Sequence, residues 1–414
     1  MQLIIKEISD RMDFDPFSTL HLICEIRCGI LRLFEKIEYY FNDCNIVYHC
    51  DIPLMLDSFL KKENKHTTIK ENIPTLLLYS NVLMDNDVYK QIMEIVHFAT
   101  TDTMILDNKQ KLIGYYFTNF NNHYHTEPPK SYNIISINNA CVITYIWDMN
   151  ELIGKQIEND FNLIQNFNTY HTKFISAFSL CSEGIYKQVW YDNNCSENIF
   201  VSNSAKISSG VVFDASAGKI IIDDEATIMP LSFIQGPCYI GKKTIVKAGA
   251  TIYKDCCFGP FCKIGGELET TIFQGYSNKQ HQGFIGHSFV SEWVNIGAGT
   301  SNSDLKNSYS NVIIHLQNKK IDTGKIFIGA MIGDHCKLAI NTSLNTGTII
   351  GICSNIAKAG LTDKYVSPFS WISDKSKEKY NLQKAILTAK VVMSRRRKEL
   401  TFEEQQLITD CFMK

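Results

Sequence analysis

The stretch Ile222-Ile-Asp-Asp-Glu-Ala-Thr-Ile228, continued to Ile264, decides the fold. An apolar residue stands at every sixth place: Ile222, Ile228, Ile234, Ile240, Val246, Ile252, Phe258 and Ile264. The beat returns at Phe284, Val290 and Ile296, and again at Ile326, Ile332, Leu338, Leu344, Ile350 and Ile356. A helix repeats every 3.6 residues and a strand every 2, so neither yields this period. A hexapeptide repeat does, with one short strand per repeat and the sixth-place residue pointing into a coiled β-solenoid. A β-sandwich with chance spacing would have to reproduce the beat three times. Between the inward places lie small and polar residues suited to tight corners, as in Ile240-Gly-Lys-Lys-Thr-Ile and Ile332-Gly-Asp-His-Cys-Lys. The first run is two residues out of step with the later ones, which reads as an insertion between Ile264 and Phe284. A second interruption lies between Ile296 and Ile326. Insertions on a solenoid become protruding loops, often on the binding face.

Outward from this core, the 414-residue chain is too long for one ordinary core, and two or three domains are expected. A formal net charge of −2, with 20% charged residues, supplies no basic excess for nucleic acid. No apolar run reaches the roughly 18 residues of a membrane helix, and Met1-Gln-Leu-Ile-Ile-Lys-Glu is too short a run for a signal peptide. The fourteen cysteines are scattered and form no C-x-x-C pair, which suggests reduced, mostly buried thiols in a cytoplasmic protein.

Before the solenoid, strand-like runs (Leu3 to Ile5, Asn45 to Tyr48, Thr75 to Tyr79) alternate with helical stretches over Arg27 to Phe41 and Asn150 to Phe167. That alternation argues for an α/β domain, in which no G-x-G-x-x-G or G-x-x-x-x-G-K-[ST] loop occurs. After it, Lys364-Tyr-Val-Ser-Pro-Phe-Ser-Trp371 leads out of the repeat toward a helix over Tyr380 to Leu400. Thr401-Phe-Glu-Glu404 has the form of a capping box opening a last helix. The resulting division is 1–195 for the α/β domain, 196–371 for the solenoid and 372–414 for a helical extension. Cys195 to Asn203 serves as the first connection. The basic cluster Arg395 to Lys398 suits the negative end of a helix dipole or, alternatively, a phosphate.

Three strings add a resemblance. Phe273-Gln-Gly-Tyr-Ser-Asn-Lys-Gln-His-Gln-Gly-Phe-Ile-Gly286, Glu292-Trp-Val-Asn-Ile-Gly-Ala-Gly-Thr300 and Leu305-Lys-Asn307 resemble a bacterial GlmU-like family. It is the form common in Bacteroidetes, called UDP-N-acetylglucosamine diphosphorylase/glucosamine-1-phosphate N-acetyltransferase. Glu25-Ile-Arg-Cys-Gly-Ile-Leu31, Trp147-Asp148 and Pro368-Phe-Ser-Trp371 extend the likeness along the whole chain. The resemblance implies a nucleotidyltransferase-like α/β domain, a left-handed parallel β-helix, C-terminal helices and a homotrimer. It also implies acetyl-CoA as donor, Mg²⁺ for nucleotidyl transfer, and a sugar phosphate and nucleotide sugar as partners, in UDP-N-acetylglucosamine biosynthesis.

In the classical bifunctional enzyme that this family resembles, the equivalent histidine, in a Lys-x-x-His string before the repeat resumes, is the general base; here the string is Lys279-Gln-His281. An amine attacking a thioester must lose a proton, and a neutral imidazole is a suitable acceptor near neutral pH. Alone, His281 would read as an ordinary surface residue. Lys279 is the expected contact to a sugar phosphate, and Asn295 matches the asparagine that holds the sugar. Ala298 matches the position whose backbone N–H faces the thioester carbonyl, although Gly297-Ala-Gly299 also suits a tight corner. Phe284 replaces a tyrosine in the substrate site. His281, His287, His315 and His335 raise a zinc-dependent carbonic anhydrase as rival, but they lack its close histidine pair.

For the first domain, Arg27 is the expected cation on a nucleotide, while His21 and Phe34 stand where the family carries further arginines. Asn81 occupies the metal-aspartate position, and Asp148 is the remaining carboxylate for Mg²⁺, unless it merely caps a helix. The expected functions are therefore N-acetyl transfer joined to a weakened nucleotidyltransferase. Acyl transfer to a nucleotide-linked sugar and a non-catalytic trimeric scaffold are the alternatives.

Overall fold

The computed structural model describes residues 1–65, 68–121, 131–166, 174–176, 190–191, 197–317 and 319–414. Two compact units emerge. The first comprises Met1–Phe14, Leu20–Ile26 and Leu31–Thr144; the second comprises Asp15–Thr19, Arg27–Ile30 and Tyr145–Lys414. The connection expected to begin at Cys195, and the boundary between 195 and 196, lie outside the described residues.

In the first unit a mixed six-stranded sheet runs in the order Asn45–His49, Gln2–Lys6, Thr75–Tyr79, Leu112–Phe117, Thr103–Asp107, Asn133–Ile137. The first three strands are parallel, so their C-terminal ends open on one edge. Ile4, Val47, Leu77, Phe117 and Phe120 form an apolar cluster on this sheet. The helix expected from Arg27 forms only over Leu33–Tyr40. Gly29 has φ +93°, a left-handed conformation that stops a helix from starting earlier.

The second unit carries three stacks of parallel strands, consistent with a left-handed β-helix. One stack climbs from Ile199–Ser202 to Tyr365–Val366 and another from Lys206–Ile207 to Ser370–Ser373. The third runs from Trp190–Tyr191 to Phe284–Gly286 and is resumed by Ser301–Asn302, Thr342–Leu344 and Gly360–Leu361. All but two of the sixth-place residues join one continuous buried core. The exceptions are Phe284, which faces outward beside inward Ile285, and Ile326, which is 42% exposed.

The phase shift has a different cause from the insertion expected. Parallel pairing is unbroken through Lys263–Ile264, Asn278–Lys279 and Asn295–Ile296 on one side of the coil. Inward places fall at Ile264, Leu268, Phe273, Lys279, Ile285 and Val290, so several sides are shortened. Only the second interruption is an insertion. It leaves the coil after Ser301–Asn302 and includes the antiparallel hairpin Ile313–Leu316/Lys319–Asp322.

The corners also differ from the small residues expected. One column of left-handed corner residues runs Lys243, Phe261, Tyr276, Trp293 and His335, with φ between +54° and +62°. In both quoted hexapeptides the left-handed residue is therefore Lys243 or His335, not glycine. Phe261 stacks on Tyr276 (5.1 Å), and Tyr276 stacks on Trp293 (4.4 Å). A second column is formed by Gly249, Gly266, Gly283, Gly299 and Asn341.

Helix Ile153–Asn166 belongs to the second unit, as do Leu382–Ser394 and Phe402–Met413. The capping box forms: Glu404 N–H donates to Thr401 Oγ1 (3.1 Å) and Thr401 N–H donates to Glu404 Oε2 (2.9 Å). Among the described residues the cysteines are all free thiols, and no helix is long and apolar enough to cross a membrane.

Candidate active site

Lys279 occupies an inward place of the coil, paired in register with Ile264 below and Ile296 above. The residue is fully buried. Its ammonium donates to the carbonyl of His281 and to that of Gln282 (2.9 Å). The side chain expected to meet a sugar phosphate is thus turned into the solenoid, where it ties down the corner after it. Burial lowers its pKa to about 8.

That corner holds His281, exposed, and Gly283, with φ +123°. One coil further on, Gly299 N–H donates to Gln282 O (2.9 Å), which stacks Gly297-Ala-Gly299 directly on the His281 corner. The Ala298 carbonyl accepts from Asn341 N–H (2.8 Å). No hydrogen bond from the Ala298 N–H is found among the described residues. Asn295 is exposed at the end of the same side, in register with Asn278 and Lys337. The fold therefore brings His281 and Ala298 together and leaves Asn295 outward. Lys279 lies beneath them.

Phe284 follows on the next side, half-buried and outward. Its ring and the Asp304 carboxylate both lie over Gly286, where any Cβ would collide with them. A side chain at this position would displace the Phe284 ring and the Asp304 carboxylate. Asn302 clamps Gly286 from inside the coil: Oδ1 accepts its N–H (2.8 Å) and Nδ2 donates to its carbonyl (3.0 Å). The next residue, His287, places Nδ1 2.8 Å from Asp304 Oδ2 and stacks its ring on Phe327 at 5.0 Å. Asp304 was not singled out by sequence reasoning. Its only signal was position, one coil beyond His287. The four histidines of the zinc rival stand apart in role. His281 lies on the glycine corner, His287 on Asp304, His315 in the hairpin and His335 in the aromatic column.

Arg27 belongs to the second unit. Its N–H donates to Gln274 Oε1 (2.9 Å), its guanidinium donates to Ile30 O, and it lies over the Tyr239 ring at 6.0 Å. The expected nucleotide contact is thus embedded against β-helix side chains. Of the other first-domain positions, Phe34 packs edge-on against Tyr48 and Phe59. His21 faces Glu25 at 3.6 Å.

Asn81 is buried just beyond the Thr75–Tyr79 strand; Nδ2 donates to Ile143 O (2.7 Å), and Oδ1 has no partner among the described residues. Asp148 accepts Tyr145 N–H (3.0 Å) as a helix cap and lies 3.9 Å from Lys325. Asn81 lies in the first unit and Asp148 in the second, so neither unit by itself holds both. A neutral amide and a carboxylate already committed to a cap do not fit the carboxylate set that Mg²⁺ takes. The group that sequence reasoning missed is Glu7, just after Gln2–Lys6. It is buried and bonded by Ile23 N–H (2.8 Å) and Ser80 Oγ (3.0 Å). Burial raises its pKa to about 7, with Arg11 opposing.

Residues 3–169 match the family model described as sugar nucleotidyl transferase. The bifunctional sugar-1-phosphate nucleotidylyltransferase/acetyltransferase of Sulfurisphaera tokodaii is 26% identical over 171 residues, 41% of this chain and 42% of that protein. The bifunctional protein GlmU of Wigglesworthia glossinidia brevipalpis is 24% identical over 400 residues, 91% of this chain and 79% of that protein. The match thus spans less than half of the first relative and about four-fifths of the second. Among solved structures, UDP-N-acetylglucosamine acyltransferase from Campylobacter jejuni is 13% identical with a TM-score of 0.21. It covers 54% of this chain and 87% of its own. So low a score leaves the β-helix to rest on this chain's own strand ladders.

Proposed function

We propose that the β-helix transfers an acetyl group from acetyl-CoA to the amine of a sugar phosphate or of a nucleotide-linked sugar. One observation carries the reading: the His281 corner and the Ala298 corner are stacked by the Gly299-to-Gln282 hydrogen bond. An exposed histidine and a backbone N–H with no partner among the described residues then stand on stacked corners of adjacent coils. His281 removes the proton of the attacking amine, and the Ala298 N–H stabilises the oxyanion formed at the thioester carbonyl. Lys279 positions the corner from below, and Asn295 and Phe284 bound the acceptor. CoA would supply the thioester.

The likeness to bifunctional nucleotidyltransferase/acetyltransferases supports the reading. The finer version is the Bacteroidetes-type enzyme of UDP-N-acetylglucosamine synthesis, a cytoplasmic homotrimer whose mass light scattering would report. Uridylyl transfer is slow, because His21 and Phe34 of the first unit are committed to pairing or packing, Arg27 of the second unit is likewise committed, and Asn81 is neutral. Pyrophosphate release from UTP and N-acetylglucosamine 1-phosphate at about 1 s⁻¹ or faster would contradict this.

The test of acyl transfer is thiol release from acetyl-CoA with glucosamine 1-phosphate. His281→Ala lowers the rate roughly 10²–10⁴-fold without changing the thermal midpoint. A variant within about threefold of the wild type rules out His281 as the base.

A further inference from the structure

Both substrates of the acyl transfer carry a phosphate monoester: the 1-phosphate of the amino sugar and the 3′-phosphate of CoA. Such a group holds nearly two negative charges at neutral pH, and guanidinium and ammonium groups are its partners. Lys279, the cation expected for it, is inside the coil and bonded to the carbonyls of His281 and Gln282. The partner must therefore lie on the outer surface. The run Arg395 to Lys398 is a cationic stretch that acyl transfer has so far left unused.

That run closes the helix Leu382–Ser394. Arg397 N–H donates to Ser394 O (2.9 Å) and Lys398 N–H to Met393 O (3.1 Å), with Arg397 at φ +56°. The turn fixes where the arginines stand. Cations at a helix C-terminus offset its dipole, which accounts for the run but not for its neighbours. Arg396 Nη2 donates to Asn278 Oδ1 (3.4 Å), on the strand that leads into the His281 corner. Asn278 lies in register between Lys263 below and Asn295 above. Burial first, and then the positive charges of Arg396, Lys247 and Arg395, hold the Lys263 ammonium below the ordinary lysine range. Gly265 stands between Lys247 and Gln280, the residue before His281. A Cβ there would meet the Gln280 carbonyl at 2.5 Å and Lys247 Cβ at 3.2 Å. None of the four cations forms an ion pair among the described residues. Like charges this close repel one another, a cost that a bound anion removes.

We propose that Lys247, Lys263, Arg395 and Arg396 form a binding site for a substrate phosphate monoester beside the His281 corner. The role rests on the acyl-transfer reading above. Parallel strands are about 4.8 Å apart, so Lys263 and Lys247 start roughly 5 and 10 Å below the coil that carries His281. The arginines come from the helix end and the lysines from the coil, and a phosphate between them is held from both sides. The four residues bind and orient; they take no part in making or breaking bonds. The acceptor and the donor offer the same phosphate chemistry, and substrates lacking one phosphate or the other tell them apart.

The experiment compares wild type, Lys263→Gln, Arg396→Gln and the double variant by thiol release, with thermal midpoints as the check on folding. Glucosamine 1-phosphate or glucosamine is combined with acetyl-CoA or acetyl-3′-dephospho-CoA. Losing one charged donor raises KM about 10–10²-fold for the substrate whose phosphate the site holds, with kcat within about threefold. For the same substrate without that phosphate, the variants match wild type. A rise confined to glucosamine 1-phosphate assigns the site to the acceptor, and one confined to acetyl-CoA assigns it to the donor. A double variant whose KM for both stays within about threefold of wild type overturns the proposal, as does a loss that is the same with and without the phosphates. The single variants carry the same reading if the double variant does not fold. Calorimetric titration with glucosamine 1-phosphate and with CoA needs no turnover. A wild type that releases thiol with no substrate pair overturns the acyl-transfer reading itself. The phosphate site then stands if the variants bind either ligand about tenfold more weakly, and falls if they bind both as wild type does or if wild type binds neither.

Discussion

Of the columns of left-handed corners that climb the β-helix, two are filled by opposite kinds of residue. Phe261, Tyr276 and Trp293 build one, while Gly249, Gly266, Gly283 and Gly299 build the other. A bulky side chain in this conformation costs energy that must be returned locally. In the aromatic column the rings return it by stacking at 4.4 and 5.1 Å. In the glycine column nothing needs returning, and backbones approach until Gly299 N–H reaches Gln282 O at 2.9 Å. The first column holds coils together through side chains. The second leaves the backbone bare beside His281, which is what a site needs if a thioester is to reach an N–H.

Breaking the aromatic column gives the largest change in stability. Trp293 is 6% exposed, and Trp293→Ala removes its ring from between Tyr276 and His335. The expected loss is about 3–5 kcal/mol in urea unfolding, with acetyl transfer within about twofold of wild type. An equal loss of catalysis would mean that the two columns are not separate in function.

Breaking the glycine column gives the converse pattern. A methyl at Gly283 would run into Thr300 O, and its φ of +123° is strained for any side chain. Gly283→Ala costs about 1–3 kcal/mol in the same unfolding measurement. It also lowers the acyl-transfer rate about 10²-fold, because the His281 and Ala298 corners part by a fraction of a coil spacing.

The smallest effect sharpens the role of Lys279. Folded Lys279 and Lys337 give up their protons from about pH 8, because burial disfavours the ammonium, whereas both hold them until about 10.5 when unfolded. In that window the unfolded chain binds more protons, so stability rises with pH and is lost again as pH falls toward 8. Thermal midpoints taken across the window give this slope. Lys279→Met reduces it, leaves Lys337 to supply the rest, and raises the midpoint near neutral pH. The same variant transfers acetyl groups more slowly, since the carbonyls of His281 and Gln282 lose their donor. A variant with unchanged rate would make Lys279 a passive part of the core.

The parts of this molecule that were legible in sequence are those set by burial. An inward place of a solenoid must be apolar, so Ile222 to Ile264 and Ile332 to Ile356 announced the coil by themselves. The same rule hid the site. Lys279 stands inward, and a polar residue there breaks the pattern by which inward places are found. A shift of two residues in a six-residue beat looks the same whether two are inserted or four are deleted, so the shortened sides at Leu268 and Phe273 passed for an insertion. Phe284 kept the beat but faces outward, because the shortened sides moved the inward place to Ile285. His281 and Ala298 were visible as a motif, yet their adjacency depends on the coil length that brings Gln282 beneath Gly299. His287 and Asp304 are also one coil apart. The chain order carries no sign of that contact, because coil length in this segment is set by how many residues each corner omits. Arg27 shows the same limit: its signature was readable, but its membership in the β-helix unit is a matter of packing against Gln274 and Tyr239. Sequence determined which residues must be hidden from water; the register of the coils decided which of the others meet.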